Sequence, residues 1–279
     1  MPDRRVLIRL WAVVYGGWAA GCLVLGVPVF VLAGHRAPVW LDVLPVAVAA
    51  AALSPRLRWV AATGAAVSGF GLLMDAITLA FDQHVHSVAA SVAHALGFSG
   101  LVLLVASGSR TTVSASRART AGWLGLAALL PYVAMKLTWA AGGTFAGISG
   151  AELLAISRRN GASDLWLTLQ EAGVDATVAL AVAGALLLVA LLRTWGRRLP
   201  RALLVGPALV GAATLAPYGV LGLGYVAAGA VGVVDFPRGD FPTRADALLV
   251  ASIGLTAFAG LGIALGVAAR AYWAARSTE

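Results

Sequence analysis

Cysteine, lysine and acid are scarce in this chain of 279 residues, and each scarcity excludes something. One cysteine, Cys22, rules out an internal disulfide and any zinc or iron–sulfur site built on several thiolates. One lysine, Lys136, stands against nineteen arginines, and only twelve residues are acidic. Charged residues make up 11% of the chain and hydrophobic ones 60%, far from the composition of a soluble domain. No P-loop, dinucleotide fingerprint, zincin motif or nucleophile elbow occurs, and no aspartates stand at the i,i+4 spacing that chelates a magnesium diphosphate.

What is present is apolar sequence in runs of about twenty residues, each enough to cross some 30 Å of hydrocarbon as a helix. The fold class expected is all-α, a polytopic transmembrane bundle forming one domain over 1–279. Its eight spans fall near 6–33, 37–53, 59–81, 84–106, 120–141, 173–192, 202–233 and 247–273. The first run continues too far, without a small-residue cleavage motif, to be a removed signal, so it reads as a retained anchor.

The arginines test that count. With the N-terminus in the cytoplasm, fourteen of the nineteen fall in inner segments. Only Arg36, Arg158, Arg159, Arg238 and Arg244 fall outside. This is the positive-inside pattern, and both termini are then cytoplasmic, in a bacterial inner membrane. The net charge of +8 is accounted for by topology and anionic lipid neighbours, so no nucleic-acid partner is implied. Trp11, Trp40, Trp59, Trp123, Trp139, Trp195 and Trp273 lie near span ends, where indole prefers headgroup level.

Small residues fill the spans, and in lipid they let backbones approach closely. Gly262 and Gly266 form a small-xxx-small pair, read as packing within the chain rather than as a dimer face. A weak repeat is also visible. Pro131-Tyr132 through Leu137, Trp139, Ala141 and Gly143 matches Pro217-Tyr218 through Leu223, Tyr225, Ala227 and Gly229, with a looser echo at Tyr15 and Gly26. At the lysine position the other copies hold Gly222 and Ala19, so Lys136 departs from the pattern.

Two outer loops carry content. Residues 142–172 hold a capping box at Ser149–Glu152 and a stop at Asn160-Gly161, then a second short run from Ser163; two short interfacial helices are expected. The loop Asp235-Phe236-Pro237-Arg238-Gly239-Asp240-Phe241-Pro242 repeats itself and reads as a stiff turn anchored by its phenylalanines.

The polar residues within the spans gather toward the outer half. Lys136, Asp75 and His94 lie about 10–15 Å below the outer ends of their helices by the 1.5 Å rise. Asp42 and Asp175 mark outer helix ends, and Trp139 stands one turn beyond Lys136. A charge at helix centre costs about 2.5–3.5 kcal/mol on insertion scales, which makes such residues site candidates. Asp75 and Lys136 are the expected ion pair, either fixing two helices or binding a ligand or proton. Asp82, His84 and His86 are weak metal candidates, because alternating residues diverge on a helix. No metal or cofactor is expected.

Tyr15-Gly16-Gly17-Trp18 and the Pro-Tyr…Lys-Leu-Thr-Trp…Gly-Gly stretch resemble small Ala/Gly/Arg-rich multi-pass membrane proteins of high-GC bacteria. The resemblance implies the membrane architecture and carries no mechanism. The partners expected are the bilayer and a small lipophilic or ionic ligand. The leading function is a transporter-like or ligand-binding membrane protein. An intramembrane enzyme acting on a lipophilic substrate and a non-catalytic scaffold are the alternatives.

Overall fold

A computed structural model describes residues 3–32, 35–36, 39–81, 85, 87–106 and 113–275. The chain folds as two compact units, Met1–Thr111 and Thr112–Glu279. Among the described residues six helices are long and apolar enough to cross a membrane, or seven if a bent pair counts as one span.

In the first unit, α1 (Arg4–Val24) starts at Asp3, whose carboxylate accepts from Arg5 N, and gives way to Gly26 at φ +67°. The apolar run continues, but Val31–Leu32 (β1) and His35–Arg36 (β2) form an antiparallel hairpin instead of more helix. A 3₁₀ turn, Val39–Val43, leads into α2 (Leu44–Ala52). A second turn, Pro55–Leu57, leads into α3 (Arg58–Gly69), then α4 (Leu72–Phe81) and α5 (Val88–Ala106). The expected span at 37–53 is therefore a short apolar helix, Leu41–Ala52. At 1.5 Å per residue it is about 18 Å long, well short of the hydrocarbon thickness.

Glycines set the helix contacts here. A Cβ added to Gly69 would stand 2.6 Å from Phe98 N, and one on Gly97 would stand 2.9 Å from Gly69 N. Thus α3 and α5 meet backbone to backbone. Trp11 ties α1 to α5 by donating from Nε1 to Leu96 O at 2.8 Å, its ring seated over Gly100.

The second unit runs α6 (Ala115–Ala140), a hairpin of β3 (Thr144–Phe145) and β4 (Ile148–Ser149), then α7 (Gly150–Arg159) and α8 (Asp164–Glu171). After these come α9 (Ala176–Leu192), a 3₁₀ turn at Thr194–Arg198, α10 (Arg201–Ala230) and α11 (Arg244–Ala275). The hairpin turns on Ala146 and Gly147, both at positive φ, as a type I′ turn requires. The capping box at Ser149 and Glu152 starts α7, and Ser163 starts α8 by accepting from Trp166 N. Helices α8 and α9 meet at 82°.

Helix α11 is the centre of this unit. On one side, Cβ atoms on Gly219 and Gly262 would reach within 2.2 Å of Ala259 N and 2.4 Å of Ala216 N, so α10 and α11 touch by backbone. On the other, a Cβ added to Gly125 would lie 2.5 Å from Ala264 Cβ and one added to Gly260 2.6 Å from Ala128 Cβ, so α6 packs just as closely. Gly262 thus serves packing within the chain. The Pro-Tyr repeat has a spatial meaning: Tyr132 of α6 and Tyr218 of α10 flank Phe258 of α11, with ring centroids 5.7 and 5.8 Å away. Both helices run unbroken through Pro131 and Pro217.

The two units share one order of elements: a long helix, a β-hairpin, a helix, a 3₁₀ turn, then helices that close against the first. They differ between hairpin and second helix, where the first has a five-residue turn and the second has α7 and α8.

Candidate functional site

Each unit buries one polar pair. In the first, α3 stops at Phe70-Gly71 and α4 resumes at Leu72. The break matters because a Cβ on Gly71 would lie 2.4–2.7 Å from three atoms of the His94 imidazole. The missing side chain is the seat of the ring. His94, 2% exposed, places Nδ1 2.7 Å from Asp75 Oδ2. An ionised carboxylate only accepts, so against it Nδ1 carries the proton and donates. Phe30 meets the imidazole edge to face at 6.2 Å. Asp42 is also buried, but its Oδ1 accepts from the backbone N–H groups of Val29 and Phe30, both at 3.0 Å. It pins the segment after α1 to the start of α2 and holds Phe30 against His94.

In the second unit, Lys136 Nζ lies 2.9 Å from Asp175 Oδ2, with side chains 15% and 7% exposed. Asp175 caps α9: its Oδ1 accepts from Thr177 N at 2.8 Å, Val178 N at 3.3 Å and the Thr177 hydroxyl. Tyr132 donates in turn to Thr177 Oγ1 at 2.9 Å. Three of the four functions converging here are therefore fixed by a helix cap, and the fourth is the ammonium. Trp139 places its ring 5.8 Å from Nζ.

Lys136 thus takes Asp175 as its carboxylate and Asp75 takes His94, which corrects the expected pairing of Asp75 with Lys136. The reason is adjacency: α9 packs on α6, and its capping carboxylate stands level with the last turn of α6. Trp139 is corrected as well. It is 6% exposed, donates from Nε1 to Ile148 O at 3.0 Å and meets Phe145 edge to face, so it is a buried wall and not a headgroup anchor. Trp11 is buried for the same reason, a carbonyl within reach of its indole N–H. Phe241 also turns inward, against the core around α11, whereas Phe236 packs on Tyr225 and over Gly229. Asp82, His84 and His86 lie outside the described residues. Among the described residues no three His, Cys, Asp or Glu side chains gather as a metal site.

Sequence reasoning missed two contributors. Gly71 is one; its signal was the Gly-Phe-Gly run in mid-span just ahead of Asp75. Gln170 of α8 is the other, with a buried Oε1 that has no hydrogen-bond partner. It lines a cavity of about 190 Å3 between the end of α6 and the α7–α8 pair, together with Trp139, Leu153, Glu171 and Asp175. Arg158 on α7 pairs with Glu171 on α8, closing the pair over this space.

These long apolar helices define an α-helical, membrane-embedded class of protein. No family profile matches the chain, and neither a curated protein nor a solved structure matches it.

Proposed function

We propose that this is a transporter-like, ligand-binding integral membrane protein with its polar site in the outer half of the bilayer. In this reading one transmembrane domain crosses a bacterial inner membrane eight times and keeps both termini in the cytoplasm. The eight apolar segments are the six long helices, α9 with its bent partner, and the short Leu41–Ala52, which the 3₁₀ turn from Val39 extends and around which the bilayer thins.

The observation that carries the reading is the Lys136–Asp175 pair. Both side chains are largely buried among apolar helices, and the carboxylate lines a cavity. A buried ion pair often contributes nothing net relative to apolar residues of the same volume, so stability alone is a weak reason to have one. The His94–Asp75 pair supports the reading as a second embedded ionisable couple, of the kind that can carry a proton.

The test uses full-length protein in proteoliposomes loaded with a pH-sensitive dye and challenged with a panel of organic cations, anions and neutral solutes. Solute flux by the wild type, lost in a folded Lys136→Met/Asp175→Leu double variant, is the expected result. A change in lipid products without flux would replace transport by catalysis. Flux kept by the folded double variant would move the transport site away from this pair, and a wild type without flux whose folded double variant keeps the host's phenotype would leave only a scaffold. Topology is checked separately in a Cys22→Ser background carrying Ser116→Cys or Asn160→Cys, both at exposed positions. An impermeant thiol reagent on whole cells should label position 160 alone; labelling at 116 would overturn the orientation.

A further inference from the structure

The two units follow one plan, so the places where the second departs from the first are informative. It departs twice. Between hairpin and second helix it inserts α7 and α8, and at the position matched to Ala19 (aligning Tyr15 with Tyr132) it carries Lys136. Both departures meet at one spot. Asp175 and Trp139, the two residues approached by the Lys136 ammonium, line the cavity that α7 and α8 cover.

Apart from the Gln170 amide group, the side-chain donors on and beside the walls of that cavity are already committed. The Trp139 N–H is committed to Ile148 O, the backbone N–H groups of Thr177 and Val178 and the Thr177 hydroxyl to Asp175, and the Arg158 guanidinium to Glu171. Acceptors are left over. Gln170 Oε1 has no donor, and Asp175 Oδ2 is met by one ammonium, that of Lys136. An aromatic face stands beside the carboxylate. Buried acceptors, a carboxylate and an indole ring are the surroundings that a donor-bearing cation satisfies.

We propose that this cavity binds a compact organic ammonium ion, which displaces the Lys136 side chain from Asp175. The proposal rests on the reading of the Lys136–Asp175 pair as a ligand site. Lys136 acts as a tethered surrogate: its ammonium already occupies the position, 2.9 Å from Oδ2 and 5.8 Å from the indole centroid, that the ligand's ammonium takes. Displaced, the lysine swings toward the end of α6, four residues away, where water can solvate it. A volume of about 190 Å3 corresponds to about six water molecules at ~30 Å3 each, room for a ligand of a few carbons and one ammonium group.

A charge-neutralising series tests this, using full-length protein in nanodiscs and titrating propylammonium chloride or sodium propionate. Because Lys136 competes with a cation, Lys136→Met should tighten propylammonium binding by at least about tenfold. Asp175→Asn should abolish it, and Asn still caps α9, so the helix keeps its start. Lys136→Gln should behave like Lys136→Met, which guards against a defect peculiar to one variant. Propionate should bind none of them. If propionate binds the wild type and is lost in Lys136→Met, the pair is a ligand site for anions, and the ammonium proposal fails while the function reading stands. If neither probe binds any folded protein, the proposal fails, and flux in the proteoliposome assay decides the function reading independently.

Discussion

Replacing Gly71 with alanine adds one methyl group, and the structure says where it goes. The new Cβ would lie 2.4 Å from His94 Cε1 and 2.7 Å from each ring nitrogen. The ring is 2% exposed and boxed by Phe30, so it cannot simply swing aside. It must shift and lose its 2.7 Å bond to Asp75. Overpacking of this sort costs about 1–3 kcal/mol, and a hydrogen bond to a charged group about 1.5–3 kcal/mol, so the sum is about 2.5–6 kcal/mol. Cys22, the lone thiol, reads this out: it is buried with Val29 and Ala93, next in sequence to His94. A thiol-reactive fluorophore added during heating should label Gly71→Ala at a clearly lower temperature than the wild type. Most of the penalty belongs to one contact, so His94→Ala should remove it. In that background Gly71→Ala should cost less by more than half of that sum, at or above the upper end of the ~0.5–3 kcal/mol coupling seen between touching residues. An equal cost in both backgrounds would refute the claim that Gly71 is the seat of the imidazole.

Two further predictions concern packing and pH. Gly219→Ala forces a Cβ within 2.2 Å of the α11 backbone and should destabilise the second unit strongly, whereas Gly206→Ala, with nothing within 4 Å, should be neutral or gain up to ~1 kcal/mol of helix propensity; thermal denaturation in one detergent compares them. Glu152 accepts from the Ser149 backbone N–H and hydroxyl, and these bonds hold its carboxyl below the usual glutamate range. A depressed value means that the α7 start is most stable above the unfolded-state value and loses that stability as pH falls through the folded one. The Ser149 amide resonance should titrate with a midpoint below the ordinary glutamate value, and Glu152→Gln should flatten the curve.

Much of the architecture was legible because hydropathy measures what the spans share. The six long apolar helices were visible in the sequence, and so were the two short capped helices in the 142–172 loop. Hydropathy does not measure helicity, however. The run through Leu25, Val27, Val29 and Val31 is as apolar as a span, yet Gly26 and Pro28 break the helix and the chain continues into a hairpin. The partner of Lys136 was also hidden, because pairing depends on which helices are neighbours, and the likeness of α6 to α10 concealed that α9 lies beside α6. Trp139 was misjudged because an indole goes to the headgroups only when no carbonyl inside the protein can take its N–H.

The contacts of α11 have a mechanical consequence. Where glycine sets one backbone directly on another, as at Gly219 with Ala259 and Gly262 with Ala216, neither helix can slide or turn without collision. Helix α9 is held by side chains: Leu192 fills the space left by Gly122 of α6, and Leu188 and Leu191 are buried in the same core. The α10–α11 pair is therefore one rigid block, and the unit is assembled by adding α6 and α9 to it.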